Sequence, residues 1–135
     1  MSETYSFRVT WGDCDPAQIV FYPNFVAYMN EAAHGFLEKR GYSIRHMREV
    51  MGAEGVPMVS LKCDFRGPMR VGDVGEIETK VISLGRSSLK LSHRITCLGA
   101  IVVEAEETRV FSRTKPEGGL VGLEIPDEMR RALSV

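Results

Sequence analysis

The sequence has no long apolar run and no excess of charge of either sign. None of its hydrophobic stretches approaches the roughly 20 residues that a membrane-spanning helix needs. Lys and Arg number 17 against 18 Asp and Glu, which disfavours both a nucleic-acid-binding surface and a polybasic membrane anchor. Residues 1–5 lack the basic and apolar start of a signal peptide, so we expect a cytoplasmic protein without membrane insertion.

Cysteine is scarce and scattered. Cys14, Cys63 and Cys97 form no Cys-x-x-Cys pair, and the three histidines share no ligand spacing, so neither a disulfide framework nor a metal site is expected. The whole chain has 135 residues, of which 44% are hydrophobic and 26% are charged. This composition is typical of one globular domain, here spanning residues 1–135.

A long amphipathic helix is predicted from Pro23 onward, because apolar residues recur at three- and four-residue spacing. The stripe consists of Phe25, Tyr28, Met29, Ala32, Ala33, Phe36 and Leu37. Pro23 suits a first helical turn, where its missing N–H costs nothing, and Gly41 marks the end. Two shorter helices are predicted at about residues 44–51 and 126–133.

The remaining segments show the alternation of strands. Strands are predicted at about residues 6–10, 59–66, 74–84, 89–97 and 101–112. The short turns between the last four require antiparallel neighbours, since a parallel pair needs a crossover. The order predicts an α+β protein with one helix packed on a curved sheet. One helix cannot cover five strands, so we expect a homo-oligomer.

The loop of residues 12–16 carries the most unusual chemistry. Asp13 and Asp15 form a D-x-D pair, but a calcium loop of the EF-hand type is excluded, since Gln18 and Asn24 stand where it needs Gly and Glu. Two interpretations stay open for Asp15. It either serves as a turn former before Pro16, or it is a reactive carboxylate beside the free N–H groups of the helix start.

Residues 12–25, G-D-C-D-P-A-Q-I-V-F-Y-P-N-F, resemble the signature of hot-dog-fold acyl-CoA thioesterases of the 4-hydroxybenzoyl-CoA thioesterase type. The resemblance implies a curved antiparallel sheet of about five strands wrapped around one central helix. It also implies hydrolysis of an acyl-CoA thioester, with a benzoyl-like acyl group favoured. Coenzyme A would be part of the substrate, and no separate cofactor is implied.

The same resemblance assigns roles to residues at the helix start. Asp15 matches the catalytic carboxylate, acting as nucleophile on the thioester carbonyl or as base for water. Tyr22 matches the residue whose backbone N–H polarises that carbonyl. Asn24 matches a substrate-side position that supports this corner, while Asp13 is expected to order the loop.

Other matched positions lie far along the chain. Val59 and Ser60 match the strand that lines the thioester and pantetheine channel. The turn formed by Arg86, Ser87 and Ser88 matches the one that reaches the nucleotide phosphates of coenzyme A across a subunit boundary. This implies a homo-oligomer, with a tetramer favoured over a dimer.

The match to the family motif is incomplete, and alternatives stay open for the catalytic base and for the function. Gln18 stands where the family usually has Gly, which affects the acyl preference more than the reaction. Glu31, in the middle of the long helix, is a reserve base. The alternative functions are a short-chain aliphatic acyl-CoA thioesterase and a non-catalytic acyl-CoA-binding module. Asp15 argues against the latter, because a pure binder has no need of a carboxylate beside an anionic ligand.

Overall fold

A five-stranded antiparallel sheet packs against one long helix in a computed structural model, which describes residues 2–134. In chain order the elements are β1 (Ser2–Arg8), a 3-10 turn (Trp11–Asp13), α1 (Pro23–Lys39), α2 (Ile44–Val50), β2 (Met58–Phe65), β3 (Val74–Leu84), β4 (Ser88–Cys97), β5 (Ala100–Val110), β6 (Ser112–Thr114), β7 (Leu120–Gly122) and α3 (Asp127–Leu133). The sheet order is β1-β3-β4-β5-β2, and every neighbouring pair is antiparallel. The predicted α+β class is confirmed.

Helix α1 follows its sequence pattern closely. Pro23 occupies the first turn and Gly41, with φ of +90°, follows the last. One stripe of the helix is buried, comprising Phe25, Met29, Ala32, Ala33, Phe36 and Leu37. Its backbone lies closest to β1 and β3, so the helix covers one side of the sheet's inner face more fully than the other.

The first and last strands differ from their predicted limits. The first strand was expected at residues 6–10, but β1 pairs with β3 along Ser2–Arg8. Residues 2–4 are polar and show no apolar alternation. Their place in the strand is therefore evident only from their pairing with β3. The last strand was expected to reach residue 112. It ends at Val110, and the chain then forms the β6–β7 hairpin, whose three-residue strands are too short to show a period.

The core consists of two apolar clusters on the inner face of the sheet. One surrounds the first half of α1 and includes Met29, Ile77 and Ile95. The other surrounds its second half and includes Leu37, Leu91 and Phe111. Each fully buried side chain of this kind contributes roughly 1.5–3 kcal/mol of transfer free energy.

A buried polar layer separates these clusters along the strands. It consists of Thr79, His93, Glu107 and Arg109, each no more than 2% exposed. Thr79 Oγ1 and His93 Nδ1 are hydrogen-bonded at 2.8 Å, and His93 Nε2 lies 3.5 Å from Glu107 Oε1. Glu107 also accepts hydrogen bonds from Arg109. Burial opposes the charge of Glu107, but His93 and Arg109 outweigh it and hold its pKa below the ordinary value.

The loop before α1 folds back on itself. Cys14 and Val20 form an antiparallel bridge, and the Asp15 N–H donates to the Ile19 carbonyl at 3.0 Å. The return of the chain places Gln18 in the left-handed region, with φ of +68°. This conformation costs a residue with a Cβ about 1–2 kcal/mol, which explains why glycine suits the position.

Replacing Gln18 with Gly is expected to stabilise the fold by about 1 kcal/mol, because it relieves the left-handed strain. The measurement is the free energy of unfolding by urea denaturation. Gln18→Ala is the matched control, since it shortens the side chain but keeps the strained backbone and gains nothing. Equal gains in both variants would contradict this explanation.

Candidate active site

Asp13 organises the loop that carries the site. Its Oδ2 accepts the Thr10 N–H at 2.9 Å, and its carbonyl accepts both the Phe21 N–H at 2.9 Å and Asn24 Nδ2 at 2.8 Å. Burial raises the pKa of Asp13, but the hydrogen bonds from Thr10 and Tyr28 together outweigh this and lower it overall. The ordering role expected for Asp13 fits these contacts, and Asn24 supports the corner through its side-chain amide.

Asp15 lies at the turn of this folded-back loop and lines a pocket of about 810 Å³. Its Oδ1 accepts the Ala17 N–H at 2.9 Å, which fixes the carboxyl group relative to the loop. Its Oδ2 accepts no hydrogen bond within residues 2–134 and is available to a ligand. Trp11 and Val71 contribute apolar walls to the pocket, and Arg70 contributes a cation.

The helix start supplies a free backbone donor. The Phe21 carbonyl accepts the Asn24 N–H, and the Tyr22 carbonyl accepts the Phe25 N–H. The Tyr22 N–H itself makes no hydrogen bond in the described part of the chain, and Pro23 has none to offer. An unused N–H at the positive end of a 17-residue helix is suited to an oxygen that gains negative charge.

The candidate phosphate-binding turn lies at the opposite end of the sheet. The Val9 N–H donates to the Asp73 carbonyl beside the start of β3, whereas Arg86 follows the end of β3. This strand has 11 residues and spans about 33 Å at roughly 3.3 Å per residue. One chain therefore does not bring Arg86, Ser87 and Ser88 together with Asp15.

The turn is nonetheless firmly held. Arg130 from α3 donates to the Gly85 carbonyl at 3.0 Å, and the Phe111 N–H donates to the Ser87 carbonyl at 2.7 Å. Arg86 keeps an exposed side chain with no ion pair within residues 2–134.

Strand β2 is more exposed than its alternation predicts. Leu61, Cys63 and Phe65 do share the inner face through their pairing with β5, but Leu61 is 37% and Phe65 48% exposed. Helix α1 lies toward the other edge of the sheet and leaves this strand uncovered. Val59, 51% exposed, lies in a bulge, and Ser60 is exposed opposite Thr108.

The uncovered strand meets the helix start. The rings of Tyr22 and Phe65 are in edge contact at 6.2 Å between centroids, and Phe25 lies 5.9 Å from Phe65. An aromatic surface thus joins the open edge of the sheet to the candidate oxyanion donor.

A second pocket, of about 380 Å³, lies further along α1, and we term it the inner pocket. Its lining includes Asn30, His34, Val56, Met58, Arg109 and Ser112. Ser112 Oγ is buried there without a hydrogen-bond partner among the described residues. Burial, aided by Arg109, lowers the pKa of His34. Glu31 is exposed and forms no ion pair with His34 within residues 2–134.

Sequence reasoning missed Asn30 and Arg109. The available signal was a charged pair, Glu107 and Arg109, on the apolar parity of β5, where the pattern required hydrophobic residues. His93 occupies the same parity on β4, and its predicted burial is confirmed.

Neither a metal cluster nor a membrane helix is found in the described chain. Residues 2–134 contain no group of three or more His, Cys, Asp or Glu placed to hold a metal ion. The same residues include no helix long and apolar enough to span a bilayer.

Known proteins resemble this chain over two thirds or more of its length. A family model described as the thioesterase-like superfamily matches residues 9–133. The 4-hydroxybenzoyl-CoA thioesterase of Pseudomonas sp. (strain CBS-3) is 33% identical over 131 residues, covering 93% of this chain and 92% of that enzyme. A 1,4-dihydroxy-2-naphthoyl-CoA hydrolase of Synechococcus elongatus is 27% identical over 94 residues, covering 68% of this chain and 69% of that enzyme.

Solved structures agree with these relatives. The Pseudomonas thioesterase superposes with a TM-score of 0.92 at 31% identity, covering 97% of this chain and 98% of its own. A gentisyl-coenzyme A thioesterase superposes with a TM-score of 0.84 at 32% identity, covering 98% of this chain and 100% of its own. The chain therefore belongs to the thioesterase-like superfamily and is a thioester hydrolase with the hot-dog fold.

Proposed function

We propose that the chain hydrolyses an aromatic acyl-CoA thioester to the free acid and coenzyme A. The observation that carries the proposal is that one folded-back loop holds Asp15, with a free carboxylate oxygen in a cleft, and leads directly to the unused Tyr22 N–H at the helix start. These are the two groups that attack on a thioester carbonyl requires: a nucleophile or base, and an oxyanion donor.

Two routes use the same residues. In the nucleophilic route Asp15 attacks the carbonyl carbon, the C–S bond breaks, and the thiolate of coenzyme A leaves and is protonated. Water then hydrolyses the acyl–aspartyl anhydride. In the general-base route Asp15 takes a proton from water, whose oxygen attacks directly. In both, the Tyr22 N–H stabilises the oxyanion, and loss of one such donor typically costs about 100-fold or more in turnover.

The aromatic preference is supported by the surroundings of the site and by the relatives. Trp11, Phe21, Tyr22 and Phe65 expose ring surface around the helix start, and aromatic faces favour planar apolar partners. The similar enzymes are named for 4-hydroxybenzoyl-CoA, 1,4-dihydroxy-2-naphthoyl-CoA and gentisyl-coenzyme A. All three acyl groups are aromatic.

We further propose that the site is completed by a second copy of the chain, paired through β2. This strand is an edge of the sheet with unpaired backbone groups and an uncovered inner face, a combination that favours strand pairing. Antiparallel pairing of two such edges places the Phe65 end of one strand beside the Met58 end of the other. Because Tyr22 contacts Phe65, the helix start of one copy then faces Val59 and the inner pocket of its partner.

The same pairing accounts for the distance between Asp15 and Arg86. Asp15 and Arg86 lie at opposite ends of one sheet. A twofold axis between two copies reverses the strand direction of the second sheet. The Arg86 turn of one copy and the Asp15 loop of the other therefore lie at the same end of the paired sheets. A dimer suffices for this arrangement. The tetramer expected from the resemblance requires a further contact, and it remains a prediction.

Asp15→Asn is expected to lower kcat by at least about 100-fold while KM stays within a few-fold, because the isosteric amide keeps the fit but loses the reactive charge. The assay is thiol release from benzoyl-, 4-hydroxybenzoyl-, acetyl- and hexanoyl-CoA, and the aroyl esters should show the highest kcat/KM. Asp64→Asn, on the outer face of β2, is the control.

Each other outcome of that assay overturns a specific part of the proposal. Retained activity in Asp15→Asn would move the reaction to Glu31. Preference for hexanoyl-CoA would favour the short-chain aliphatic alternative. Binding of coenzyme A without turnover of any ester would favour the non-catalytic module.

Leu61→Asp is expected to convert the native oligomer to monomers and to abolish turnover, because it places a charge on the inner face of β2 where the second copy packs. Sedimentation velocity gives the oligomeric state and separates dimer from tetramer in the unmodified chain. Ile82→Asp is the matched control, since Ile82 is also an exposed apolar strand residue but lies on β3, away from this edge. An unmodified chain that sediments as a monomer would contradict the pairing.

A further inference from the structure

We propose that Arg109 is a positioning residue for thioester hydrolysis: its guanidinium sets the spacing between α1 and the start of β2, and so the shape of the inner pocket. The inference rests on the proposed function, which makes residues at the start of β2 part of the substrate channel. Arg109 does not touch the reacting atoms in this arrangement. It acts through the two segments that it joins.

The guanidinium connects three parts of the fold. Its Nη2 donates to Asn30 Oδ1 on α1 at 2.9 Å, and its Nη1 donates to the Val56 carbonyl at 3.1 Å. Its Nε donates to Glu107 on the same strand. Helix, incoming loop and sheet are therefore held by one rigid planar group.

The contact with Val56 fixes the start of β2 from the inside. Neighbouring backbone groups are held by the strands, with the Val110 N–H donating to the Pro57 carbonyl at 3.1 Å and the Glu54 N–H to the Ser112 carbonyl at 2.9 Å. The Val56 carbonyl lies between these points, and Arg109 is its partner. Three residues later the chain reaches Val59, in the bulge of β2.

The contact with Asn30 fixes the helix. Apolar packing of α1 on the sheet is non-directional, so it tolerates small shifts of the helix along its axis. The other side-chain bonds between this helix and the sheet run to Glu3 from Lys39 and from Arg40, the residue that follows α1, at the far end of the helix. Asn30 lies eight residues after Tyr22, about 12 Å along the axis, and is the nearer of these ties to the candidate oxyanion donor.

Stability alone does not explain a buried arginine and glutamate in an apolar core. Desolvation commonly cancels the attraction of such a pair, and well-packed apolar residues often replace it without loss. The pair does supply direction: the planar fork of Arg109 holds two acceptors at fixed angles, which the single ammonium group of lysine does not reproduce. On the other side of Glu107, His93 Nε2 lies 3.5 Å from its Oε1, and Thr79 holds the His93 ring through Nδ1.

Arg109→Lys tests the inference against a matched buried arginine. We expect kcat for the best aroyl-CoA ester to fall roughly 10- to 100-fold, since displacements near 1 Å have effects of this size, with KM within threefold. The control is Arg40→Lys. Arg40 is 8% exposed at its side chain and packs over the Phe36 ring at 3.6 Å, away from the channel. It should keep kcat within twofold of the unmodified chain.

Thermal unfolding of both variants, with kinetics measured well below each midpoint, removes loss of fold as an explanation. If Arg109→Lys fails to fold, the double variant Arg109→Met with Glu107→Gln removes both charges together. We expect the double variant to regain a thermal midpoint near that of the unmodified chain while its kcat stays at least 10-fold lower.

The outcomes separate this inference from the proposed function. No turnover by the unmodified chain overturns the proposed function, and the positioning role falls with it. Turnover with equal kcat losses in Arg109→Lys and Arg40→Lys overturns the positioning role alone. Recovery of both midpoint and kcat in the double variant does the same.

Discussion

The structure depends on one constraint: a single helix covers only part of a five-stranded sheet. Helix α1 lies closest to β1 and β3 and leaves the inner face of β2 open at the far edge. The exposed side chains there are apolar, and they continue into the aromatic surface at the helix start. It is on this surface that we propose a second copy of the chain packs. The proposed site, with its carboxylate at one end of the sheet and its cationic turn at the other, requires that second chain.

The sequence predicts the fold well where one physical signal acts over many residues. The stripe of α1 and the alternation of β3 and β4 are such signals, and the helix and both strands agree with them to within a residue at each end. The limits of β1 and the β6–β7 hairpin were wrong or missed because those segments are defined by pairing with distant strands. The exposure of β2 was missed because alternation identifies an apolar face but not what covers it.

The residues of the candidate site likewise include some that a local sequence pattern predicts and some that it does not. Asp15, Tyr22 and Asn24 fall within one continuous motif, so a short stretch of sequence locates the loop and the helix start together. The contact of Asn24 with the Asp13 carbonyl and the left-handed backbone of Gln18 give physical reasons for residue types in that motif. The role proposed for Arg109 depends instead on its contacts with Val56 and Asn30, which lie 53 and 79 positions earlier in the chain. No local pattern reveals a contact of that range.

The central claim is that each site combines Asp15 of one copy with Arg86 of another, and subunit mixing tests it most directly. Asp15→Asn and Arg86→Glu are each purified, shown to have little activity, then mixed in equal amounts, partly unfolded in urea and refolded together. A mixed dimer carries one intact site, so random mixing is expected to restore about a quarter of the unmodified activity on the best aroyl-CoA ester. Activity that stays at the average of the two variants would contradict the account and place both residues' function within one chain.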